Sequence, residues 1–148
     1  MNRAELLAFL RAARYAVEAS ASLAGQPQAA VVGIAVSDAF EIVFDTLGTT
    51  RKIANLRANP RIAFTIGSLE PSATKSVQYE GMADEPRGAE LARIQALYFA
   101  QFPDGRERLS WPGITHVRVR PAWLRYSDHG SPEPVILEFT ANELAGLA

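Results

Sequence analysis

Thr46, Gly48, Thr49, Thr50, Arg51 and Lys52 bring three hydroxyls, a glycine turn and two cations together in one short stretch. Such a group could hold an anion. Before it, Glu41-Ile42-Val43-Phe44 reads as a strand, with β-branched and aromatic residues at its centre. After it, Ile53 and Leu56 share one face of a short helix. That helix should stop at Asn59, because Pro60 pushes the residue before it out of the α region. Arg51 and Lys52 then fall in the first helical turn, where the dipole favours acids and two cations are unfavourable until an anion arrives. Free backbone N–H groups, threonine hydroxyls and two cations at a helix start describe a phosphate cradle. A plainer reading makes Thr49 or Thr50 an N-cap and leaves the two cations solvated; the local pattern admits both. The stretch is not a P-loop, and it lacks the Gly-x-Gly-x-x-Gly of dinucleotide folds.

Other candidate groups are sparse. There is no cysteine, which excludes disulfides, thiol catalysis and cysteine metal sites. His116 and His129 are the two histidines, too few for a histidine-rich metal site. Glu80 and His116 are conceivable proton donors, although such residues are more often solvated or simply hydrogen-bonded. A net charge of −1 gives no sequence-independent grip on nucleic acid. No apolar run is long enough to span a membrane, and the N-terminal stretch carries Arg11, Arg14 and Glu18 rather than a signal-peptide core. A cytoplasmic protein acting away from membranes is expected. At 148 residues, one domain spanning 1–148 accounts for the chain.

The elements that must position these residues follow from periodicity. Residues 3–20 read as an amphipathic helix, with Leu6, Leu10, Ala13 and Val17 on one stripe and Arg3, Arg11, Arg14 and Glu18 mostly off it. Residues 29–36 form a nearly continuous apolar run, as in a strand buried on both faces. Ser37-Asp38-Ala39 turns it into the strand before the cradle. Residues 61–66 alternate, placing Ile62, Phe64 and Ile66 on one face. After a loop over 67–74, residues 75–81 alternate again. Val77 and Tyr79 share one face and Ser76, Gln78 and Glu80 the other, which is either solvated or a hydrogen-bonding floor for a polar ligand. Residues 87–101 read as a helix through Leu91, Ile94 and Tyr98, broken at Phe102-Pro103-Asp104-Gly105. A long strand runs from Ile114 to about Tyr126, interrupted at Pro121. A tail over about 130–148 adds a short strand, Val135–Phe139, and a last helical turn. About six strands with helices inserted between them, mostly antiparallel, give a mainly β barrel with appended helices.

The run from Val43-Phe44-Asp45-Thr46 through Thr50-Arg51-Lys52 and Asn55-Leu56 to Asn59-Pro60-Arg61-Ile62-Ala63 resembles the pyridoxamine 5′-phosphate oxidase-like, FMN-binding split-barrel family. Val77-Gln78-Tyr79-Glu80-Gly81 resembles the family's next strand. Trp111-Pro112-Gly113-Ile114 and residues 119–126 resemble its closing strand. The likeness covers roughly residues 28–128. It implies that Thr50, Arg51 and Lys52 hold the FMN phosphate and that Phe44, Asp45 and Thr46 lay their backbone beside the flavin ring. It also implies that Ser76 and Gln78 touch the ring or ribityl chain. The family's members are usually homodimers with cofactor sites at the subunit interface, and Trp111 is the candidate for the second subunit's contribution. Its alternative role is a plug at the barrel end. The sequence departs from true pyridoxamine phosphate oxidases, because Ser127-Asp128-His129 and a proline-rich tail replace their C-terminal arginine and histidine. Asp45, if free, would also oppose an anionic reduced flavin.

The leading expectation is an FMN-dependent oxidoreductase transferring hydride between flavin and a small substrate. One alternative is a reductase using the deazaflavin coenzyme F420, whose acidic tail Arg118, Arg120 and Arg125 could meet unless they simply line a solvated face. Another is a non-catalytic flavin- or haem-binding module, with His116 or His129 as the axial ligand.

Overall fold

A computed structural model describes residues 1–67 and 69–148. Helix α1 (Arg3–Ala12) starts at a capping box in which Asn2 and Glu5 satisfy each other's backbone N–H, and it buries Leu6, Leu7 and Leu10. The helix expected over 3–20 therefore ends early. Arg14 turns the chain with a φ of 52°, and residues 15–21 form β1 (Tyr15–Ala21). The inward face of β1 is Ala16, Glu18 and Ser20. That mixture carries no apolar alternation, so pairing with strands on both sides decides its conformation, not local hydropathy.

The apolar run over 29–36 divides into β2 (Pro27–Gly33) and β3 (Ala35–Val36). Burial on both faces holds for its end, Ile34, Ala35 and Val36, and not for β2. β2 ends the sheet, paired to β1 alone, and Val31 on its outer face is 70% exposed. Next come β4 (Ile42–Leu47), α2 (Arg51–Ala58), β5 (Arg61–Gly67) and β6 (Lys75–Asp84). The expected loop over 67–74 includes residue 68, which lies outside the described residues. Helix α3 (Gly88–Gln101) matches its periodicity, and the expected break after it is a 3-10 helix over Pro103–Ser110. Strand β7 (Ile114–Asp128), β8 (Val135–Thr140) and α4 (Ala141–Gly146) close the chain.

The eight strands pair antiparallel in the order β2-β1-β5-β6-β7-β4-β3, with β8 also on β7. Six were expected; the added two are β1, read as helix, and β3, split from β2. Strand β7 is the spine, meeting β4 with its first half and β8 with its second. Pro121 is absorbed at a bulge between Glu80 and Gly81. A side chain at Gly81 would strike the Arg120 carbonyl oxygen, so the residue there must be glycine. The curled sheet encloses Ile42, Phe44, Phe64, Ile66, Val77, Tyr79, Val119 and Leu124, with Ile53 and Leu56 of α2 packed on this core. A second cluster outside β4 joins Ile94, Tyr98 and Phe99 of α3 to Phe102, Ala35 and Val43. The architecture is a mainly β split barrel with appended helices.

Candidate anion and cofactor site

Strand β4 delivers Thr46, facing inward, to the start of α2. The intervening turn is pinned by Gly48 N–H, which donates to the Gly113 carbonyl at 2.7 Å, and by Thr50 N–H, which donates to Leu47 at 3.1 Å. Thr50 is the N-cap residue by backbone conformation, yet its side chain makes no capping bond. Its hydroxyl donates instead to the Leu47 carbonyl at 3.0 Å and stands 3.0 Å from the Thr46 hydroxyl. Lys52 Nζ donates to the same Thr46 oxygen at 3.4 Å. No acid occupies the first turn of α2, and among the described residues no carboxylate pairs with Arg51 or Lys52. The plainer reading holds for the backbone, since Thr50 is the N-cap, but not for its side chain. That side chain is turned away, so among the described residues no side chain caps the first-turn N–H groups and no carboxylate forms an ion pair with either cation. Arg51 is exposed beside the cluster.

Phe44 is buried in the barrel, edge-on to Phe64, and offers a ligand only its backbone. Strand β3 meets β4 only at Ile42 and Val43, so the β4 edge from Phe44 to Leu47 has no ladder partner opposite β7. Asp45 is not a free acid. One carboxylate oxygen accepts from the Tyr98 hydroxyl at 2.9 Å and the other from Arg108 Nε at 2.7 Å. Burial first, and then the Asp45 charge, push the Tyr98 hydroxyl well above its usual range. The Asp45 carboxylate likewise raises the Arg108 guanidinium. The unscreened negative charge expected beside a flavin is thus met by Arg108.

Ser76 and Gln78 lie on the outward face of β6, half-buried and exposed, opposite Ser127 and Arg125. Among the described residues, no hydrogen bond joins either side chain to the Thr46–Thr50–Lys52 cluster. Trp111 follows the 3-10 helix and is 51% exposed, which rules out the barrel plug. His116, opposite Asp45 on β7, is 5% exposed beneath α3, with Nδ1 3.4 Å from Gln95 Nε2. Burial pushes its pKa below the usual value, partly opposed by Asp45. His129 is exposed between β7 and β8, and among the described residues no group of side chains could hold a metal. The three arginines considered for an acidic tail are engaged. Arg118 is buried between Asp84 and Glu90, each at 2.6 Å; Arg120 reaches Asp84 at 3.2 Å and Arg125 reaches Glu138 at 3.6 Å.

Two features escaped sequence reasoning. The Tyr98–Asp45–Arg108 cluster joins residues up to 63 positions apart and carries no local signal. Glu18, expected on a helix surface, is 0% exposed inside the barrel, and among the described residues neither carboxylate oxygen has a hydrogen-bond partner of good geometry.

A curled antiparallel sheet with a hydroxyl-rich turn leading into a short helix defines a split barrel. The family model for pyridoxamine 5′-phosphate oxidase matches residues 3–145, and the chain belongs to that family. No curated protein matches the chain. Its structure is similar to that of a haem-binding protein from Mycobacterium smegmatis, with a TM-score of 0.83 and 20% identity over 99% of this chain. The chain spans 61% of that protein's length. The haem storage protein HutZ of Vibrio cholerae gives a TM-score of 0.72 at 14% identity, covering 97% of this chain and 99% of HutZ. A pyridoxamine 5′-phosphate oxidase-related, FMN-binding protein from Nostoc punctiforme gives 0.67 at 13% identity, covering 93% and 87%. At these identities the likenesses establish the fold. No helix among the described residues is long and apolar enough to cross a membrane.

Proposed function

We propose that this chain binds FMN and acts as a flavin-dependent oxidoreductase on a small molecule, working in the cytoplasm as a homodimer. The observation that carries the reading is the start of α2. Thr46 and Thr50 hydroxyls stand 3.0 Å apart, Lys52 reaches Thr46, Arg51 is exposed beside them, and among the described residues no acid or capping side chain fills the place. That donor set fits a phosphate monoester, which wants hydroxyl, amide and cationic donors together. Thr46, Thr50, Arg51 and Lys52 would hold the phosphate, and the free β4 edge at Phe44, Asp45 and Thr46 would supply backbone donors and acceptors to the ring. When bound, FMN supplies hydride transfer, with the protein contributing position and electrostatics. Arg108, by neutralising Asp45, keeps an uncompensated negative charge away from that edge.

The second subunit would cover the outer face of β2, β1 and β5, where Ala19, Ala29 and Val31 are exposed. It would also bring Trp111 to the site, while Ser76 and Gln78 would touch the ring or ribityl chain. Haem is the second reading, favoured by the functions named for two structurally similar proteins, with the exposed His129 as the available axial ligand. The deazaflavin reading has less support, because Arg118, Arg120 and Arg125 are already paired with carboxylates. The test is a visible spectrum of the purified protein after loading with FMN and removing the excess. A retained, shifted flavin band that bleaches with a nicotinamide reductant is expected. A Soret band acquired from added haem, with no flavin retained, would overturn FMN in favour of haem.

A further inference from the structure

Glu18 stands in the middle of β1, opposite Ala30 of β2 and Phe64 of β5, with its side chain turned into the barrel. A carboxylate so placed has lost its water, and neither oxygen makes a hydrogen bond of good geometry; Gln28 of β2 is near enough only to favour ionisation weakly. Around it, Ser20 bonds to Gln28 at 3.3 Å, and Asn55 of α2 donates to Ser20 at 3.1 Å, so β1, β2 and α2 share one polar pocket within the core. Lys52 on α2 is the charged group whose field reaches Glu18; β5 presents Phe64 and no charge. Lys52 is also the cation bonded to Thr46 in the cradle. One ammonium therefore serves two masters, a buried acid behind it and any anion in front.

We propose that Glu18 takes up a proton from solvent when an anion seats on Lys52, so that cofactor phosphate binding is proton-coupled. The inference rests on the FMN reading above. Without an anion, Lys52 is the charge among the described residues that compensates Glu18. An arriving phosphate monoester claims that charge and adds negative charge of its own, so the carboxylate is left uncompensated in a dry site. Protonation at a Glu18 oxygen removes the conflict, and Lys52 and Thr46 are then given over to the phosphate. Burial already biases Glu18 toward its neutral form, and Lys52 opposes that bias.

The sign of the proton exchange separates this from a simple cationic cradle. A phosphate monoester has a second pKa of about 6. Cations alone favour its dianion and would release a proton on binding. Coupling through Glu18 gives uptake, up to one proton per site. The experiment is calorimetric titration of FMN into the whole protein in two buffers of unlike ionisation enthalpy, from about pH 6 to 8, repeated with Glu18→Gln. Net uptake by the wild type is expected, with its Kd weakening by up to tenfold per pH unit relative to the near-isosteric variant. Net release or no exchange in the wild type overturns the coupling, a result that needs no variant. Equal pH slopes for both proteins overturn it too. No FMN bound by the wild type at any pH overturns the FMN reading itself, and the coupling with it.

Discussion

Lys52 and Glu18 are two residues whose charges act on each other and which the sequence treats unequally. Lys52 was legible, because a cation in the first turn of a helix asks for an anion. Glu18 was not, because its strand has an inward face of alanine, glutamate and serine that imitates the polar face of a helix. Replacing Lys52 with Met should remove a charge-assisted contact of about 1.5–3 kcal/mol and weaken FMN binding roughly tenfold or more, read by quenching of flavin fluorescence. Two of the buried titratable groups, Glu18 and His116, make opposite demands on pH. Glu18 has a folded pKa above 4.5, so its contribution is present below that value and lost as pH rises through the folded pKa. His116 has a folded pKa below 6.5, so its contribution is present above that value and lost as pH falls through the folded pKa. In urea unfolding between about pH 4.5 and 6.5, Glu18→Gln should expose a stability that falls with acid, and His116→Gln one that falls with base. Parallel pH profiles for the three proteins would remove both groups from the account.

Elements explain which residues the site receives and which it does not. Helix α2 follows the sequence down to its stop at Asn59, because proline and apolar spacing mark it locally, whereas β4 runs on past the expected end at Phe44 to Leu47 and takes Thr46 out of the turn into the strand. The packing outside β4 was not readable, since Asp45 meets Tyr98 and Arg108 only after α3 and the 3-10 helix fold back over it. Asp45→Asn should leave Arg108 and the Tyr98 hydroxyl poorly matched in a partly buried place, costing about 1–3 kcal/mol. The melting temperature should fall by several degrees while FMN affinity changes little, because the acid faces away from the threonine–lysine cluster. A large loss of FMN binding with unchanged stability would place Asp45 in the cofactor site instead. At the bulge, Gly81→Ala would force a Cβ into the Arg120 carbonyl oxygen and the Val119 side chain. Separation of β6 from β7 at that point should destabilise the fold by roughly 1–3 kcal/mol or more, seen as a lowered urea midpoint.

For the whole molecule, the order of strands places a broad outer face of small residues on β2, β1 and β5, where Ala19, Ala29 and Val31 are exposed. Val31 at 70% exposure is its most conspicuous member. The sequence suggested the opposite for this run, since continuous apolarity reads as burial on both faces within one chain. If a second copy covers the face, Val31→Asp should shift the protein toward monomer in analytical ultracentrifugation and lower FMN retention in step. A monomeric wild type that keeps FMN would show that one chain suffices for the site. The split-barrel class was legible because the order and spacing of its motifs run along most of the chain. The exact strand count was not, as β1 and β3 depend on partners far away in sequence.

The cradle at Thr46, Thr50, Arg51 and Lys52 is tested most directly by comparing FMN with riboflavin, which differ only by the phosphate, in one fluorescence titration at fixed pH and salt. The wild type should bind FMN at least tenfold more tightly, and Lys52→Met should erase most of that preference. Equal affinity for the two flavins in the wild type would contradict the assignment of these residues to the phosphate.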